Sequence, residues 1–406
     1  MRIALVAYDV ALPGEKGLGR MYYLAGLFQH YGYETELITG TFQHWEKRFR
    51  TAEEMARPHP FRVTFLDRTA YAKNIDLRRV ASLRALARNI RRYLDSREYD
   101  LVYCPIPDNR TAAIAAKYAK KRGVPFIIDV EDLWPEAMRL VLDVPVVSDV
   151  LFSSFAADAR AAYRRADGVI GSSDTYRDEP LKYGVSVPRR ETVYVGNDLA
   201  VFDAGAAENR AVPEKPEGEF WVAYAGTLGA SYDIATLIRA AALLRERGDT
   251  AVRVVLLGDG PDRAALEALA AGLPGNVTFL GYQPYAVMAA YLTRADVTVN
   301  SLTAKAAQSI VSKIGDYLAA GKPMINTGLD PEFCAKVEAD GFGVNVPPGD
   351  AAALADAIGK MRDDPDAAAA MGARGRRIAQ EQFDRPASYR RIIAMADALL
   401  GLDRTW

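Results

Sequence analysis

A lysine and an aspartate three residues apart lie near the start of a helical pattern in the second half of the chain. The segment SIVSKIGDYLAAGKPMI, residues 309–325, is amphipathic up to Gly321. We expect Ser312 to cap this helix and Lys313 to lie in its first turn, where an ammonium and unpaired backbone N–H groups attract an anion. Asp316 could accept hydrogen bonds from two adjacent ribose hydroxyls. The pattern fits a nucleoside diphosphate, and a capped surface helix with an Asp–Lys ion pair explains it equally well.

Glycine-rich loops able to approach a phosphate follow apolar runs in both halves of the chain. Without a Cβ, a glycine lets the backbone come close to a phosphate at the end of a parallel strand. None of these loops has the GxGxxG spacing or the P-loop lysine, so each one alone is equally well explained as a turn. The candidates are Gly17, Gly19 and Arg20 in PGEKGLGR, Gly226, Thr227 and Gly229 in AGTLGAS, and Gly258 and Gly260 in LLGDGPDR.

Length and composition are those of a folded protein with two domains. A chain of 406 residues exceeds the size at which one hydrophobic core stops growing, and 50% of its residues are hydrophobic. Two cysteines, Cys104 and Cys334, are too few for a disulfide framework or a zinc site, which predicts a reducing compartment such as the cytoplasm. Residues 1–10 are interrupted by Asp9, so we interpret them as a buried strand rather than an export signal. No apolar run in the sequence is long enough to span a membrane.

Positive charge is concentrated between Lys47 and Arg122, although the formal net charge of the chain is −1. Such a region could bind anionic lipid headgroups or a pyrophosphate. A solvated helix face explains the same pattern. The basic residues of this region include Arg78, Arg79, Arg84, Arg88, Arg91, Arg92, Lys120, Lys121 and Arg122.

Apolar runs alternate with helical patterns along both halves of the chain. In the first half, strands are predicted at RIALVAY, ETELIT, YDLVYCP and VPFIIDV, with helices over residues 80–95 and 111–122. In the second half, strands are predicted within EFWVAYAGTLG, VRVVLLGDG, NVTFLGY, ADVTVNS, KPMINTG and GFGVNV. This alternation is typical of α/β domains with mostly parallel sheets.

The domain boundary is predicted at residues 201–219, which are rich in Ala, Pro, Glu and Gly and have no periodicity. We expect an N-terminal Rossmann-like domain over residues 1–200 and a second one over residues 220–383. Residues 384–406 are expected to form a terminal helix that packs back on the first domain.

The order of motifs in the second half resembles glycosyltransferase family 4, the retaining enzymes of GT-B architecture. These motifs are AGTLG, LLGDGP, NVTFLGY, ADVTVNS and SKIGDYLAAGKPMI, and the resemblance covers nearly the whole chain. In the first half, DVEDLWPEA and ETELITGTFQHWEK are similar to a subgroup that builds bacterial O-antigens and capsules. The resemblance implies an α/β fold of GT-B type, with two Rossmann-like domains facing each other across a cleft. The first domain would bind the acceptor and the second the nucleotide sugar.

The resemblance also implies residues that bind the donor. The paired acidic residues of the family, eight apart and commonly glutamate, fall on Gln308 and Asp316. Asp316 can still bind the ribose, whereas Gln308 offers the transferred sugar only a neutral hydrogen bond. A basic residue that many relatives place after the AGTLG turn, to meet the diphosphate, is missing, and Lys313 and Arg20 are expected to compensate. The other implied donor contacts are Tyr282 and Gln283 near the base, together with Ser309 and Ile310.

Asp132 is the predicted catalytic residue. It follows the apolar run PFIIDV, so it is expected to emerge at the domain cleft facing the sugar. In retaining transfer without a covalent intermediate, the leaving diphosphate can take the proton of the acceptor. Asp132 would then stabilise the positively charged sugar or orient the acceptor. Glu131 and Glu136 are weaker candidates.

Aromatic and histidine residues of the first half could contact the acceptor. Trp134 could stack on a sugar face, and a tryptophan buried in the core explains its presence equally well. His44, beside Trp45, could line the acceptor site, with a surface histidine as the alternative. Because His30, His44 and His59 are widely scattered, we predict neither a metal site nor a cofactor.

The sequence therefore predicts a retaining glycosyltransferase. It would move a hexosyl or N-acetylhexosaminyl group from a UDP-sugar, as a substrate, to a lipid-linked or glycan acceptor in bacterial surface polysaccharide synthesis. The expected partners are a polyprenyl-diphosphate-linked glycan and the inner membrane leaflet, with no nucleic acid. A non-catalytic nucleotide-sugar-binding protein and a GT-B epimerase are the open alternatives.

Overall fold

The chain folds into two units in a computed structural model that describes residues 1–17, 19–73, 76–134, 147–208, 212–306 and 310–404. Unit 1 consists of Met1–Val193 together with Tyr389–Trp406. Unit 2 consists of Tyr194–Ser388.

Unit 1 is an α/β domain built on a parallel sheet. Its strands in the described residues are β1 (Arg2–Val6), β2 (Glu34–Gly40), β3 (Phe42–Gln43), β4 (Arg48–Phe49), β5 (Arg62–Leu66), β6 (Leu101–Ile106), β7 (Phe126–Val130), β8 (Gly168–Gly171) and β9 (Arg189–Thr192). Its helices there are α1 (Arg20–His30), α2 (Ala52–Met55), α3 (Leu77–Asp95), α4 (Asn109–Arg122), α5 (Val147–Tyr163), α6 (Asp174–Arg177) and α7 (Glu179–Lys182). The sheet order is β5-β2-β1-β6-β7-β8-β9, and β3 pairs with β4 as a separate hairpin.

The central strands of unit 1, β1, β6 and β7, are largely apolar because both faces of the sheet are covered there. Along β1, Ile3 and Leu5 pack into one core while Ala4 and Val6 pack into the other, and all four are 0% exposed. Successive side chains of a strand point to opposite faces, so a sheet buried on both sides requires a continuous apolar run. The run RIALVAY meets this requirement.

Local capping residues fix the ends of the helices next to the strands of unit 1. The Asp76 carboxylate accepts a hydrogen bond from the Arg78 N–H at the start of α3. The Asp108 carboxylate accepts one from the Thr111 N–H at the start of α4, which ends at Gly123 with φ +70°. Such caps satisfy backbone groups that the helix itself leaves unpaired.

Unit 2 is a second α/β domain. Its strands are β10 (Phe220–Ala225), β11 (Val252–Leu257), β12 (Val277–Gly281), β13 (Val297–Asn300), β14 (Met324–Asn326) and β15 (Gly343–Asn345). Its α-helices in the described residues are α8 (Leu199–Glu208), α9 (Ile234–Glu246), α10 (Arg263–Ala271), α11 (Tyr285–Arg294), α12 (Ile314–Ala319), α13 (Pro331–Asp340), α14 (Ala351–Asp363), α15 (Pro365–Ile378) and α16 (Arg385–Ser388). Ala304–Ala306 is a 3-10 helix and Ala379–Phe383 a π-helix. The sheet is parallel in the order β12-β11-β10-β13-β14-β15.

Both sheets have the strand order of a Rossmann domain, in which the chain winds outward from a central strand in two directions. The prediction of two Rossmann-like α/β domains is confirmed, and all six strands predicted in the second half are present.

The segment predicted as a linker differs in the structure. Part of residues 201–219 belongs to α8, which places Phe202 in the core of unit 2. A Cβ on Gly205 would lie 2.8 Å from the Ala286 Cα, so a small residue lets α8 approach α11 closely. The first segment of unit 1 ends at Val193, whereas the sequence predicted that the first domain would extend to residue 200. The segment was predicted as a linker because it is rich in small residues, and in the structure a small residue of this segment serves close helix packing.

The last helix of the chain, α17 (Arg390–Leu399), belongs to unit 1. Ile392 and Ile393 are buried in the same core as Ile3 and Leu5 of β1.

Candidate functional site

The strand order marks a ligand site in unit 2 at the carboxyl end of β10. This strand lies between β11 and β13, so the chain leaves it toward one side of the sheet and later returns on the other. In parallel α/β sheets, ligands bind at such a switch point, beyond the carboxyl ends of the strands. The AGTLG turn follows β10 and the LGDGP turn follows β11.

Three of the predicted glycines let these two turns pack backbone against backbone. A Cβ on Gly258 would overlap the Gly226 carbonyl oxygen, and a Cβ on Gly260 would overlap the Leu228 carbonyl oxygen. Gly226 and Gly258 have φ of +153° and +141°, which residues with a side chain rarely adopt. The Leu228 N–H also donates to the Asp259 carbonyl oxygen at 3.0 Å. The glycines therefore fix the paths of both turns at the strand ends.

Lys313 lies beside the AGTLG turn, between two tyrosines. Its Nζ is 3.8 Å from the centre of the Tyr232 ring and 4.2 Å from that of Tyr224, and it donates a hydrogen bond to the Tyr224 hydroxyl at 3.0 Å. A Cβ on Gly226 would lie 2.5 Å from this nitrogen. Lys313 forms no ion pair with Asp316 or with any other described carboxylate. Burial without a counter-ion holds the pKa of Lys313 well below its ordinary value.

Asp316 is oriented by two neighbours from other parts of unit 2. Its Oδ1 accepts hydrogen bonds from Asn197 Nδ2 at 2.8 Å and from the Tyr285 hydroxyl at 2.7 Å. Its Oδ2 accepts none from the described residues. Burial raises the pKa of Asp316, and the two hydrogen bonds partly oppose that rise. A carboxylate fixed through one oxygen can accept a ligand hydroxyl through the other.

The helix that carries Lys313 and Asp316 starts later than predicted. It is α12, whose N-cap is Lys313 with no side-chain hydrogen bond to the cap. Ser312 is exposed in the preceding turn, so the prediction that Ser312 caps the helix was wrong. The two residues before it, Ile310 and Val311, pack against the core without belonging to a helix.

The remaining predicted donor residues are less constrained. Thr227 is exposed, Gly229 is buried, and Tyr282 is 81% exposed. The Gln283 side chain donates to the Leu280 carbonyl oxygen at 2.6 Å. Gln308 and Ser309 lie outside the described residues.

Arg20 does not serve as a donor-binding residue of the kind predicted. Its guanidinium is 2% exposed and donates to both carboxylate oxygens of Asp129, at 3.1 and 3.3 Å. It also donates to the Tyr389 hydroxyl at 2.9 Å and to the Val193 carbonyl oxygen at 3.3 Å. All of these groups belong to unit 1. A buried, fully bonded guanidinium holds the interior of unit 1 together, and we therefore withdraw the prediction for Arg20.

The two glycines before Arg20 have different surroundings. A Cβ on Gly17 would overlap the Trp45 ring, so Gly17 makes room for that tryptophan. Gly19 is the N-cap of α1, and a Cβ there would meet no atom within 4 Å. Gly17 therefore has a packing role in the structure. Its packing partner, Trp45, is a residue that the sequence predicted to contact the acceptor.

Asp132 and Trp134 contact each other after β7. Asp132 Oδ1 accepts the Leu133 N–H at 2.8 Å, and its Oδ2 accepts Trp134 Nε1 at 3.2 Å. The Trp134 ring is 8% exposed and has the Arg79 guanidinium 4.9 Å from its centre. This burial favours the alternative role for Trp134, as an interior residue that orients Asp132. Asp132 itself is half-buried.

His44 lies among polar groups at the carboxyl ends of the unit 1 strands. Its Nδ1 is 2.6 Å from the Tyr71 hydroxyl and 3.7 Å from Asp9 Oδ2. Burial, followed by the charges of Arg79 and Lys47, lowers the pKa of His44 to about 3. His44 is therefore a neutral imidazole and not a surface histidine. The adjacent Trp45 is half-buried.

Of the two weaker catalytic candidates, only Glu131 lies in the described part of the chain. Glu131 lies 3.2 Å from Arg20 Nε, and burial together with nearby Asp129 raises the pKa of Glu131 to about 8. Glu136 lies outside the described residues. Within the described residues, no cluster of three histidine, cysteine or acidic side chains is arranged to bind a metal ion.

Four residues that sequence reasoning missed complete the candidate site of unit 2. They are Asn197, Tyr224, Tyr232 and Tyr285. One signal was available, because Tyr232 stands in the stretch after AGTLG where a basic residue was sought. No pattern marks Asn197 or Tyr285, since both act across long sequence separations.

Comparison with known families agrees with this architecture. Residues 20–198 match the family described as glycosyl transferase 4-like domain, and residues 219–364 match the family described as glycosyl transferases group 1. The two matches fall one in each half of the chain and together cover most of it. The chain is a glycosyltransferase of GT-B fold.

Individual relatives match the chain at low sequence identity, and the solved structures among them share its fold. Alpha-D-kanosaminyltransferase from Streptomyces kanamyceticus is 26% identical over 300 residues, which cover 67% of this chain and 73% of that protein. Sucrose-phosphate synthase from Thermosynechococcus elongatus is 20% identical with a TM-score of 0.72, over 98% of this chain and 99% of the other. HepE from Anabaena, solved in complex with UDP, is 18% identical with a TM-score of 0.70, over 99% and 100%.

No helix among the described residues has the length and apolar character needed to cross a membrane.

Proposed function

We propose that the protein transfers a sugar from a UDP-sugar donor with retention of anomeric configuration. The observation that carries this proposal is the arrangement of Lys313 and Asp316 at the carboxyl end of β10. A lysine without a counter-ion suits a diphosphate, and a carboxylate held by Asn197 and Tyr285 suits a ribose. The similarity to HepE, which was solved with UDP, supports a uridine donor. The transferred group is proposed to be a hexosyl or N-acetylhexosaminyl group.

Asp132 is proposed as the catalytic residue of unit 1. Its carboxylate is fixed by the Leu133 N–H and by Trp134 Nε1, so its orientation is set before substrate binds. A preorganised negative charge stabilises a sugar that becomes positively charged as the diphosphate leaves. Trp134 then acts through Asp132 as a positioning residue. The buried His44 stays neutral and offers the acceptor site a hydrogen-bonding group without charge.

The acceptor is proposed to be a lipid-linked glycan of bacterial surface polysaccharide synthesis, met at the inner membrane leaflet. A groove of about 890 Å³ between α3, α4 and α5 supports this part of the proposal. Its lining combines the apolar Ala87, Ala113 and Ile114 with seven basic residues and one acid, Asp95, and this excess of positive charge suits an anionic amphiphile. The basic residues that line it are Arg84, Arg88, Arg91, Arg110, Lys117, Lys121 and Arg165.

A donor assay tests the proposed reaction. Purified protein is incubated with a panel of UDP-sugars, with and without acceptor extract, and UDP release is measured. We expect release from one donor, stimulated by extract and reduced in Asp132→Asn. UDP binding without release from any donor would favour a binding protein, and interconversion of the free sugar would favour an epimerase. Either result would overturn the proposal.

A vesicle flotation assay tests the membrane contact. Arg88→Glu/Arg91→Glu reverses two charges of the groove, and Arg239→Glu/Arg245→Glu makes the same change on the exposed side of α9 in unit 2. The wild type and the unit 2 variant should float with vesicles containing anionic lipid, whereas the groove variant should not. Equal flotation of all three proteins would remove the membrane from the proposal.

A further inference from the structure

Lys313 is surrounded by aromatic rings rather than by acids. The Tyr224 and Tyr232 ring centres lie 4.2 and 3.8 Å from its Nζ. The Tyr224 hydroxyl donates its own proton to the Thr227 carbonyl oxygen at 2.7 Å, so toward Lys313 it acts as the acceptor. Ring faces attract a cation, but they compensate its lost hydration less well than a carboxylate does.

The ionisable groups on the elements around Lys313 are engaged elsewhere. Asp316 is bound by two neighbouring side chains. The Asp233 carboxylate accepts hydrogen bonds from backbone N–H groups of α9 and of the loop before α14. The Tyr317 hydroxyl is bonded to the backbone at the end of β10. Residues 307–309 contain no ionisable side chain. The nearest anion for Lys313 must therefore come from a ligand.

We propose that Tyr224 and Tyr232 are positioning residues that hold Lys313 for the donor's diphosphate, and that the Lys313 amine takes up a proton when the diphosphate binds. The inference rests on the proposed function, because it describes how unit 2 receives the UDP-sugar. It also explains the absence of a basic residue after AGTLG. Tyr232 occupies that stretch, and its ring places a lysine from the start of α12 at the same turn.

The proton uptake follows from the change of surroundings on binding. In the free protein, burial without a counter-ion disfavours the ammonium form, so the pKa of Lys313 is lowered. A diphosphate in contact favours the ammonium form and raises this pKa again. At a pH between the lowered pKa of Lys313 in the free protein and its raised pKa in the complex, each bound diphosphate draws a proton from the buffer onto Nζ. The proton returns to the buffer when UDP leaves. The affinity for UDP then falls as pH rises through the lowered pKa of the free protein.

Titration calorimetry of UDP tests the inference. Binding is measured from about pH 7 to about pH 9.5 in pairs of buffers with different ionisation enthalpies, which reports the protons exchanged. Wild-type protein should take up close to one proton per UDP in part of this range. Lys313→Arg, which is always charged, should bind UDP without that uptake. Tyr232→Leu should bind UDP about tenfold more weakly, and Tyr232→Phe, which keeps the ring 3.8 Å from Nζ, should restore most of that loss.

The outcomes separate the inference from the proposed function. Failure of wild-type protein to bind UDP would overturn both. UDP binding without proton uptake, or with the same uptake in Lys313→Arg, would overturn the inference and leave the donor assignment standing. A Tyr232→Leu variant with wild-type affinity and wild-type pH dependence would remove the positioning role of Tyr232. Thermal unfolding of each variant is measured alongside, so that a loss of fold is recognised.

Discussion

At the residue scale, Lys313 and Asp316 differ because their surroundings differ. Asp316 has two hydrogen-bond donors that fix one oxygen, whereas Lys313 has only an acceptor hydroxyl and two rings. A carboxylate that is already bonded is ready to orient a ligand, and we propose that an amine without a counter-ion binds an anion by taking up a proton. The two residues are close in sequence and have separate roles.

Removing the Asp316 carboxylate should weaken UDP binding. A hydrogen bond to a charged group contributes about 1.5–3 kcal/mol, so Asp316→Ala should raise the Kd for UDP by about 10- to 100-fold. Tyr285→Phe removes one of the two donors that hold the carboxylate, and its effect should be smaller. Asp356→Ala, an exposed acid of α14, is the matched control. An Asp316→Ala Kd equal to that of the control would contradict this role.

His44 should stay neutral at mildly acidic pH. Its lowered pKa of about 3 arises from burial and from nearby cations. The imidazole NMR signals of His44, assigned with a His44→Gln variant, should keep the pattern of a neutral ring between about pH 7.5 and about pH 5, with only a small shift as Asp9, whose pKa burial raises to about 6, is protonated 3.7 Å away. Below the ordinary histidine pKa, the imidazole is protonated in the unfolded chain but stays neutral in the folded protein. His44 therefore lowers the free energy of unfolding as pH falls from the ordinary histidine pKa toward the lowered pKa of the folded protein. A titration midpoint near the ordinary value would show that the site is hydrated.

At the element scale, apolar runs predicted all six strands of the unit 2 sheet and four of the seven strands of the unit 1 sheet, because a strand covered on both faces needs apolar residues on each. The strands β5, β8 and β9 were missed, and the edge strand β9 is polar and partly exposed. The N-cap was predicted at Ser312, one residue before its place at Lys313, because serine is a common cap and nothing in the sequence marks Lys313 as one. Arg20 was assigned to the ligand because a sequence does not reveal which cation is buried beside which acid. Its partner Asp129 lies on a distant strand and was read only as part of an apolar run.

The Arg20–Asp129 pair should be essential to unit 1. It connects the start of α1 to β7, and Arg20 also bonds to Tyr389 before α17. Breaking a buried ion pair by removing one partner costs about 3–5 kcal/mol, so Arg20→Met should lower the free energy of unfolding by that amount. Arg164→Met, at an exposed position, is the control.

A second substitution at this pair checks the cause. The double variant Arg20→Met/Asp129→Leu removes both charges of the pair, and the neighbouring Glu131, whose pKa is raised to about 8, can stay protonated without Arg20, so the variant should recover part of the lost stability. Denaturant unfolding followed by circular dichroism measures both changes. Asp129→Leu alone is measured as well, and a loss in the double variant equal to the sum of the losses in Arg20→Met and Asp129→Leu would mean that the two residues act independently.

The turns after β10 and β11 should tolerate no side chain at their contact. Gly258→Ala places a methyl group against the Gly226 carbonyl oxygen at a φ that alanine rarely adopts, so both stability and UDP affinity should fall. Gly272→Ala is the control, because a Cβ there would make only ordinary contacts of 3.6 Å or more. Thermal unfolding and UDP titration are compared for the two variants. Equal behaviour would show that the turns can move apart.

At the scale of the whole molecule, the proposed function divides the chemistry between two Rossmann-type sheets. Unit 2 carries the candidate donor residues, and unit 1 carries Asp132, His44 and the basic groove. The fold could be predicted from the order of apolar runs, and relatives share it at about 20% identity. The site could be predicted only where residues are close in sequence, as for Lys313 and Asp316. Residues such as Asn197 come from distant segments of the sequence, so their contacts with the site can be identified only in the folded structure.

The central claim is that unit 2 binds the nucleoside diphosphate of the donor. Hydrogen–deuterium exchange of the full-length protein, with and without saturating UDP, tests it most directly. UDP should slow exchange in the turns after β10 and β11 and in residues 310–317, and it should leave α3 and α4 unchanged. Slowed exchange confined to unit 1, or none anywhere, would contradict the account.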